Sequence, residues 1–159
     1  LDPQGPTLLV ERPTAAAGYD GADMLYVRKA HQLEHFAHHR WADTPAQMLQ
    51  PLLVAAAEAS GRFRAVITSR SRQGVALRLD TELVRLRQDF LQTPSRVELV
   101  ARLYLFDARS GEALASRLIE IDEPTPDDTP YGGVLAANRA AARLLEDLTA
   151  WLRTALAEG

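Results

Sequence analysis

The chain has 159 residues, a length that suits one domain around one core. Its 18 basic and 21 acidic residues leave a net charge of −3, and 47% hydrophobic with 25% charged residues are ordinary globular values. This balance excludes a disordered chain and a protein whose main task is to coat nucleic acid, and the absence of cysteine excludes disulfides, a thiolate nucleophile and cysteine-ligated zinc.

No stretch approaches the roughly 20 apolar residues that span a bilayer. The start Leu1-Asp2-Pro3 reads as a mature or trimmed chain, with any export signal or anchoring cysteine expected upstream. Residues 1–6, with Pro3, Gly5 and Pro6, read as a flexible N-terminal tail, leaving 7–159 as a single domain. Thr7 to Arg12 is a short apolar strand closed by Pro13, and Ala15 to Gly21 is a loop punctuated by glycines. Met24 to Arg28 and Leu33 to Phe36 are two short strands around the turn Lys29-Ala30-His31-Gln32.

Thr44-Pro45-Ala46-Gln47 places a hydroxyl cap, a first-turn proline and a glutamine at the spacing of a helix start. Met48, Leu49, Leu52, Leu53, Ala56 and Ala57 follow at helical spacing, and Gly61 stops the helix. Pro51 lies inside it, and an interior proline costs roughly 3 kcal/mol, so a kink or break is expected there. Phe63 to Thr68 is a strand and Ser69 to Gly74 a polar loop.

Val75 to Phe90 alternates Val75, Leu77 and Leu79 against Arg78, Asp80 and Glu82, then slips phase at Leu83-Val84, as a β-bulge does. Arg96 to Asp107 and Ala113 to Asp122, joined by the turn Ala108-Arg109-Ser110-Gly111, complete an antiparallel meander. Glu123 to Pro130 is an acidic, proline-rich linker, and Tyr131 to Glu158 is a long amphipathic helix. Val100, Tyr104 and Phe106 make the second face of the sheet partly apolar too. Two helices and a two-faced sheet suggest an α/β fold, a three-layer α/β/α sandwich on a mixed, largely antiparallel sheet.

Chemistry-bearing residues are few. His31, His35, His38 and His39 would share one face of a helix and could then bind a metal, which makes a metal-dependent enzyme the alternative function. A strand and irregular turn scatter them, so neither a metal site nor a cofactor is expected. No serine lies in a G-x-S-x-G elbow, and Gly132-Gly133 is too short for a phosphate loop. Arg62, Arg64, Arg70 and Arg72 flank one strand and read as a solvated edge, and Asp127-Asp128 as part of the linker. Tyr26, Phe36 and Trp41 lie in or after the short hairpin. Aromatics of this kind anchor a core or an interface, and with Arg28 they are the candidate partner-binding residues.

The ordered series Leu8-Leu9-Val10, Leu25-Tyr26-Val27-Arg28, Arg40-Trp41-Ala42-Asp43-Thr44-Pro45, Ser60-Gly61-Arg62-Phe63 and Trp151-Leu152 resembles the ABC-type transport auxiliary lipoproteins, the PqiC-like outer-membrane family. The resemblance runs from about Leu8 to Leu156. It implies a fold similar to the anticodon-binding-like and TolB N-terminal folds. It also implies a non-enzymatic periplasmic protein, anchored to the outer membrane by an N-terminal lipid. Its implied partner is the MCE-domain subunit of an ABC transporter concerned with lipid traffic and envelope integrity. A homo-oligomer through the same hairpin edge is a further expectation, and nucleic-acid binding is not expected.

Overall fold

The computed structural model describes residues 1–68 and 74–157. The elements are β1 (Thr7–Val10), β2 (Thr14–Ala15), β3 (Asp23–Lys29), β4 (Gln32–Arg40), α1 (Pro45–Ser60), β5 (Ala65–Ile67), β6 (Leu77–Asp89), β7 (Arg96–Asp107), β8 (Ala113–Pro124) and α2 (Pro130–Ala155). All eight strands join one sheet. Strand β6 is its spine. One edge takes β1, β2 and β3 in succession, all parallel, while the other takes β7 antiparallel. The expected meander β6–β7–β8 is present, and its one register shift inside β6–β7 falls between Leu83 and Arg85, where the sequence phase slips.

Both helix starts follow local chemistry. The Thr44 hydroxyl accepts from the Gln47 N–H (3.4 Å) with Pro45 behind it, and the Thr129 hydroxyl accepts from the Gly132 N–H (3.0 Å) with Pro130 behind it. Gly61 closes α1 in the left-handed region at φ 71°, and α1 runs through Pro51 without the expected break. Pro51 is exposed, so the carbonyl it leaves unpaired can turn to water.

The α/β class and the mixed, largely antiparallel sheet are as expected, but the layers are two rather than three. Leu8, Leu79, Leu83, Leu99, Ala101, Leu105, Ile119 and Ile121 form one core with Leu53 and Ala56 of α1 and Leu144, Leu148 and Leu152 of α2. The register places all these strand residues on one face, so both helices cover that face. They also touch each other. The Arg153 side chain donates to the carbonyls of Ser60 (3.3 Å) and Ala59 (3.1 Å), and Arg62 donates to the carbonyl of Arg153 (2.7 Å). Each guanidinium meets the negative end of the neighbouring helix.

The other face carries Arg78 beside Asp80, Glu98 between Arg85 and Arg87, and Arg96 beside Asp122. Its apolar members are shielded locally, as where Arg78 lies 4.5 Å over the Phe106 ring, so no third layer is required.

Two further expectations change. Strand β4 continues to Arg40 instead of ending at Phe36, because it draws its hydrogen bonds from β3 alone and needs no apolar face. Residues 1–6 are tied down rather than a free tail: the Asp2 N–H donates to the Phe63 carbonyl (2.9 Å) and the Arg64 N–H to the Pro6 carbonyl (3.2 Å). Of the expected loop Ser69 to Gly74, residues 69–73 lie outside the described residues.

A buried polar knot joins the end of β6, the following turn and the start of α2. Gln88 Nε2 donates to Ser95 Oγ (3.0 Å) and to the Thr129 carbonyl (3.1 Å), while Thr125 Oγ1 donates to the Ser95 carbonyl (2.8 Å). Asp128 accepts from the Ser95 N–H (2.8 Å), which holds its carboxyl below the usual value. The expected solvated linker is therefore a built connection. Asp107 does similar work in the β7–β8 turn, accepting from the N–H groups of Ser110 and Arg109 (2.8 Å each), and its carboxyl is also held low.

Two outcomes follow from these contacts. A Cβ on Gly133 would land on the Gln88 amide oxygen. Gly133→Ala is therefore expected to destabilise by about 1–3 kcal/mol in urea titration, while Gly21→Ala, which meets only open space, is near neutral. Asp107 and Asp128 have folded pKa values below their ordinary 3.8. Their stabilisation is then full above that value and is lost as pH falls through the folded pKa. Urea midpoints of Asp128→Asn should lie below wild type at pH 7 and converge with it at strongly acidic pH; an equal gap at both pH values contradicts this assignment.

Candidate partner-docking site

The hairpin residues singled out from sequence fall into two adjacent places. Tyr26 on β3 and Phe36 on β4 pack with ring centroids 4.5 Å apart. Phe90, just past β6, stands edge-on to Tyr26 at 6.0 Å and to Phe36 at 6.4 Å. Its backbone N–H donates to the Val27 carbonyl (2.9 Å), which fixes it beside β3. The Arg28 guanidinium lies over this group, its Cζ 5.2 Å from both the Tyr26 and Phe90 ring centres.

No described carboxylate pairs with Arg28, which is exposed, while the three rings are half-buried. A guanidinium that rests beside aromatic rings is drawn to their π faces and can still direct N–H donors elsewhere. Such an arrangement could receive a carboxylate or a backbone carbonyl, with apolar area around it. Phe90 was not among the sequence candidates. Its signal was the shifted alternation Leu86, Gln88, Phe90 after the bulge, which returns it to the face of Tyr26.

Trp41 does not join this platform. Its backbone N–H donates to the Ala22 carbonyl (2.8 Å), and its half-buried side chain packs beside Val97, Ala136 and Ala137. It thereby borders a cleft of about 250 Å3 between α1, α2 and the sheet, walled by Met48, Leu52, Leu86 and Leu99 among others. The cleft is open because α2 presents only Ala137, Asn138 and Ala141 there. Trp41 thus both seals the base of α1 and lines an apolar recess. A separate, water-sized void beside it is lined by Met24 and Leu25 of β3.

The four histidines are exposed and dispersed. His31 is in the β3–β4 turn at φ 63°, and His35, His38 and His39 lie along β4. Among the described residues no three His, Asp or Glu side chains gather as a metal site. Of the arginine cluster, Arg62 caps α2, Arg64 donates to the Thr7 hydroxyl (3.1 Å), and Arg70 and Arg72 lie outside the described residues. On the far face, a polar hollow of about 440 Å3 lined by Glu11, Arg12, Arg78, Asp80 and Glu82 carries charges of both signs, and Arg78 is already paired with Asp80 at 2.9 Å.

Comparisons with known proteins fit this architecture. A crystal structure of a Xanthomonas campestris protein superposes with a TM-score of 0.88 at 20% identity, over 99% of this chain and 89% of that one. The PelC dodecamer from Paraburkholderia phytofirmans gives 0.55 at 12% identity over 94% and 90%. A Neisseria meningitidis lipoprotein gives 0.52 at 11% identity over 89% and 99%. At such identities these likenesses show the fold. No curated protein matches the sequence. The family model described as the ABC-type transport auxiliary lipoprotein component matches residues 2–149, nearly the whole chain, and the protein belongs to that family.

Proposed function

We propose that the protein is a non-enzymatic auxiliary subunit that docks onto the MCE-domain subunit of an ABC transporter, in lipid traffic and envelope integrity. It works in the periplasm, held at the outer membrane by an N-terminal lipid. Membership of the auxiliary lipoprotein family supports the transport setting and the lipid tether. The observation that carries the docking surface is the Arg28 guanidinium laid over Tyr26 and Phe90 without a carboxylate of its own among the described residues. Binding energy concentrates in such aromatic and arginine anchors. Phe36 completes the platform, and Trp41, set apart beside the apolar recess, is its neighbour rather than a member.

Self-association is part of the same reading. A similar fold occurs in a structure described as a dodecamer, which supports an assembly of several copies here. The rival metal-dependent enzyme is not supported, since the four histidines are spread over a turn and an exposed strand.

The test uses the cognate MCE-domain subunit in pull-down beside thermal melting. Arg28→Glu and Tyr26→Ala are expected to melt near wild type and to capture at least about tenfold less partner, because both remove anchor contacts at the surface. Normal capture by both variants overturns the assignment. Trp41→Ala is expected to lower stability by about 2 kcal/mol, less than the loss of a fully buried tryptophan, with a smaller effect on capture.

A further inference from the structure

The cleft beside Trp41 is an apolar space of about 250 Å3 that the frame keeps open. Its wall runs from Met48 at the mouth, 42% exposed, down to Leu83 and Leu99 in the core. Among the described residues no charged side chain lines it, and Asn138 and Trp41 carry its polar side-chain groups. Packed interiors leave few voids of this size, because unfilled apolar walls forfeit dispersion contacts. Here the helices are fixed where they stand. Arg62 and Arg153 tie their C-terminal ends together, and Gln88 holds the start of α2 through the Thr129 carbonyl. The cleft is therefore formed before anything enters it, as ligand sites commonly are.

We propose that this cleft binds a single-chain lipid, with the acyl chain inside and the headgroup left in water at the Met48 mouth. The proposal rests on the lipid setting of the reading above and adds a ligand site apart from the hairpin platform.

Size selects the chain. A dry cavity of about 150 Å3 takes benzene, and sites for whole drug-sized ligands run from about 300 to 1,000 Å3. The cleft lies between these. At about 30 Å3 for each water-sized group, it holds about eight methylenes. A second acyl chain has no slot and stays in water, which disfavours two-chain lipids. A partner helix or strand is disfavoured too, because its backbone groups need hydrogen bonds that these walls do not offer. Met48 suits the mouth, since an unbranched thioether adapts to chains of different lengths. Chemistry selects the neck of the ligand. With no cation on the wall, a fatty-acid carboxylate gains no ion pair there. The Asn138 carboxamide, exposed at the rim, both donates and accepts, which suits an ester or a glycerol hydroxyl.

The probe is decanoyl lysophosphatidylcholine below its micellar concentration, followed by tryptophan fluorescence and calorimetry. Trp41 borders the cleft, while Trp151, 8% exposed, belongs to the core. Binding should blue-shift the emission. Across a series of chain lengths, affinity should rise about fourfold per methylene and level off once about eight are inside. Dihexanoyl phosphatidylcholine, whose two chains are short, should bind more than about tenfold more weakly. Decanoate should also bind more weakly, and equal binding overturns the choice of an esterified lipid. Ala141→Leu fills the cleft from α2 and should abolish the shift while melting at or above wild type. Met48→Asp, at the exposed mouth, should weaken binding about tenfold or more, and Ala142→Leu, on the exposed side of α2, should bind as wild type. Ala141→Leu should still capture the proposed MCE-domain partner, because the hairpin is untouched. Wild type that takes no probe overturns the site and leaves hairpin docking to its own pull-down. Binding that neither Ala141→Leu nor Met48→Asp weakens, or affinity that never levels off, places the lipid elsewhere and overturns the site as well. Loss of partner capture in Ala141→Leu, with no probe bound by wild type, assigns the cleft to a partner's side chain instead.

Discussion

The structure depends on one strand keeping its hydrogen-bond register over 13 residues. β6 pairs with four other strands, and its single shift after Leu83 returns apolar side chains to the helix face for the second half. Without that shift Leu86 and Gln88 would face solvent, and Arg85 and Arg87 would point into the core. Register errors of one residue exchange the faces of a strand, so the bulge is a requirement of the fold rather than a defect. The parallel addition of β3 at the far end of β6 then follows, and with it the position of the hairpin.

The two helices close the one apolar face from the same side. Reciprocal arginine contacts hold their C-terminal ends together, while the Gln88–Ser95–Thr125 knot and Asp128 hold the start of α2. Tied at both ends, α2 keeps small residues over its N-terminal half, with Ala136, Ala137 and Ala140 buried there and leucines beyond. The apolar recess beside Trp41 is the space these alanines leave. The rigid frame therefore presents two different surfaces around the hairpin: an apolar recess, and a cation resting on aromatic rings.

Local chemistry made much of this readable. Thr44-Pro45 and Gly61 bound α1 where the structure bounds it, and the phase slip at Leu83-Val84 marks the bulge. What was not readable depends on partners distant in sequence. The apolar residues Val100, Tyr104 and Phe106 suggest a covered second face, yet no helix lies there: the Arg78 guanidinium lies over Phe106, and Tyr104 packs beside that ring at 6.0 Å. The stretch His38-His39-Arg40 carries no alternation because an exposed strand needs none. Phe90 belongs to the site only through the parallel pairing of β3 with β6, which no local pattern announces. The hairpin aromatics Tyr26 and Phe36 were found because rings on a short polar hairpin are conspicuous, and Trp41 was grouped with them by proximity in sequence alone.

The central claim is that the hairpin platform is where the transport partner sits. Hydrogen–deuterium exchange of the protein, alone and with the proposed MCE-domain partner, addresses this directly because it maps slowed exchange along the whole backbone. The account predicts new protection across Asp23 to Arg40 and around Phe90, with the outer face of α2 and the polar hollow near Arg78 unchanged. Protection confined to α2 or to that hollow, with the hairpin exchanging as in the free protein, would contradict it.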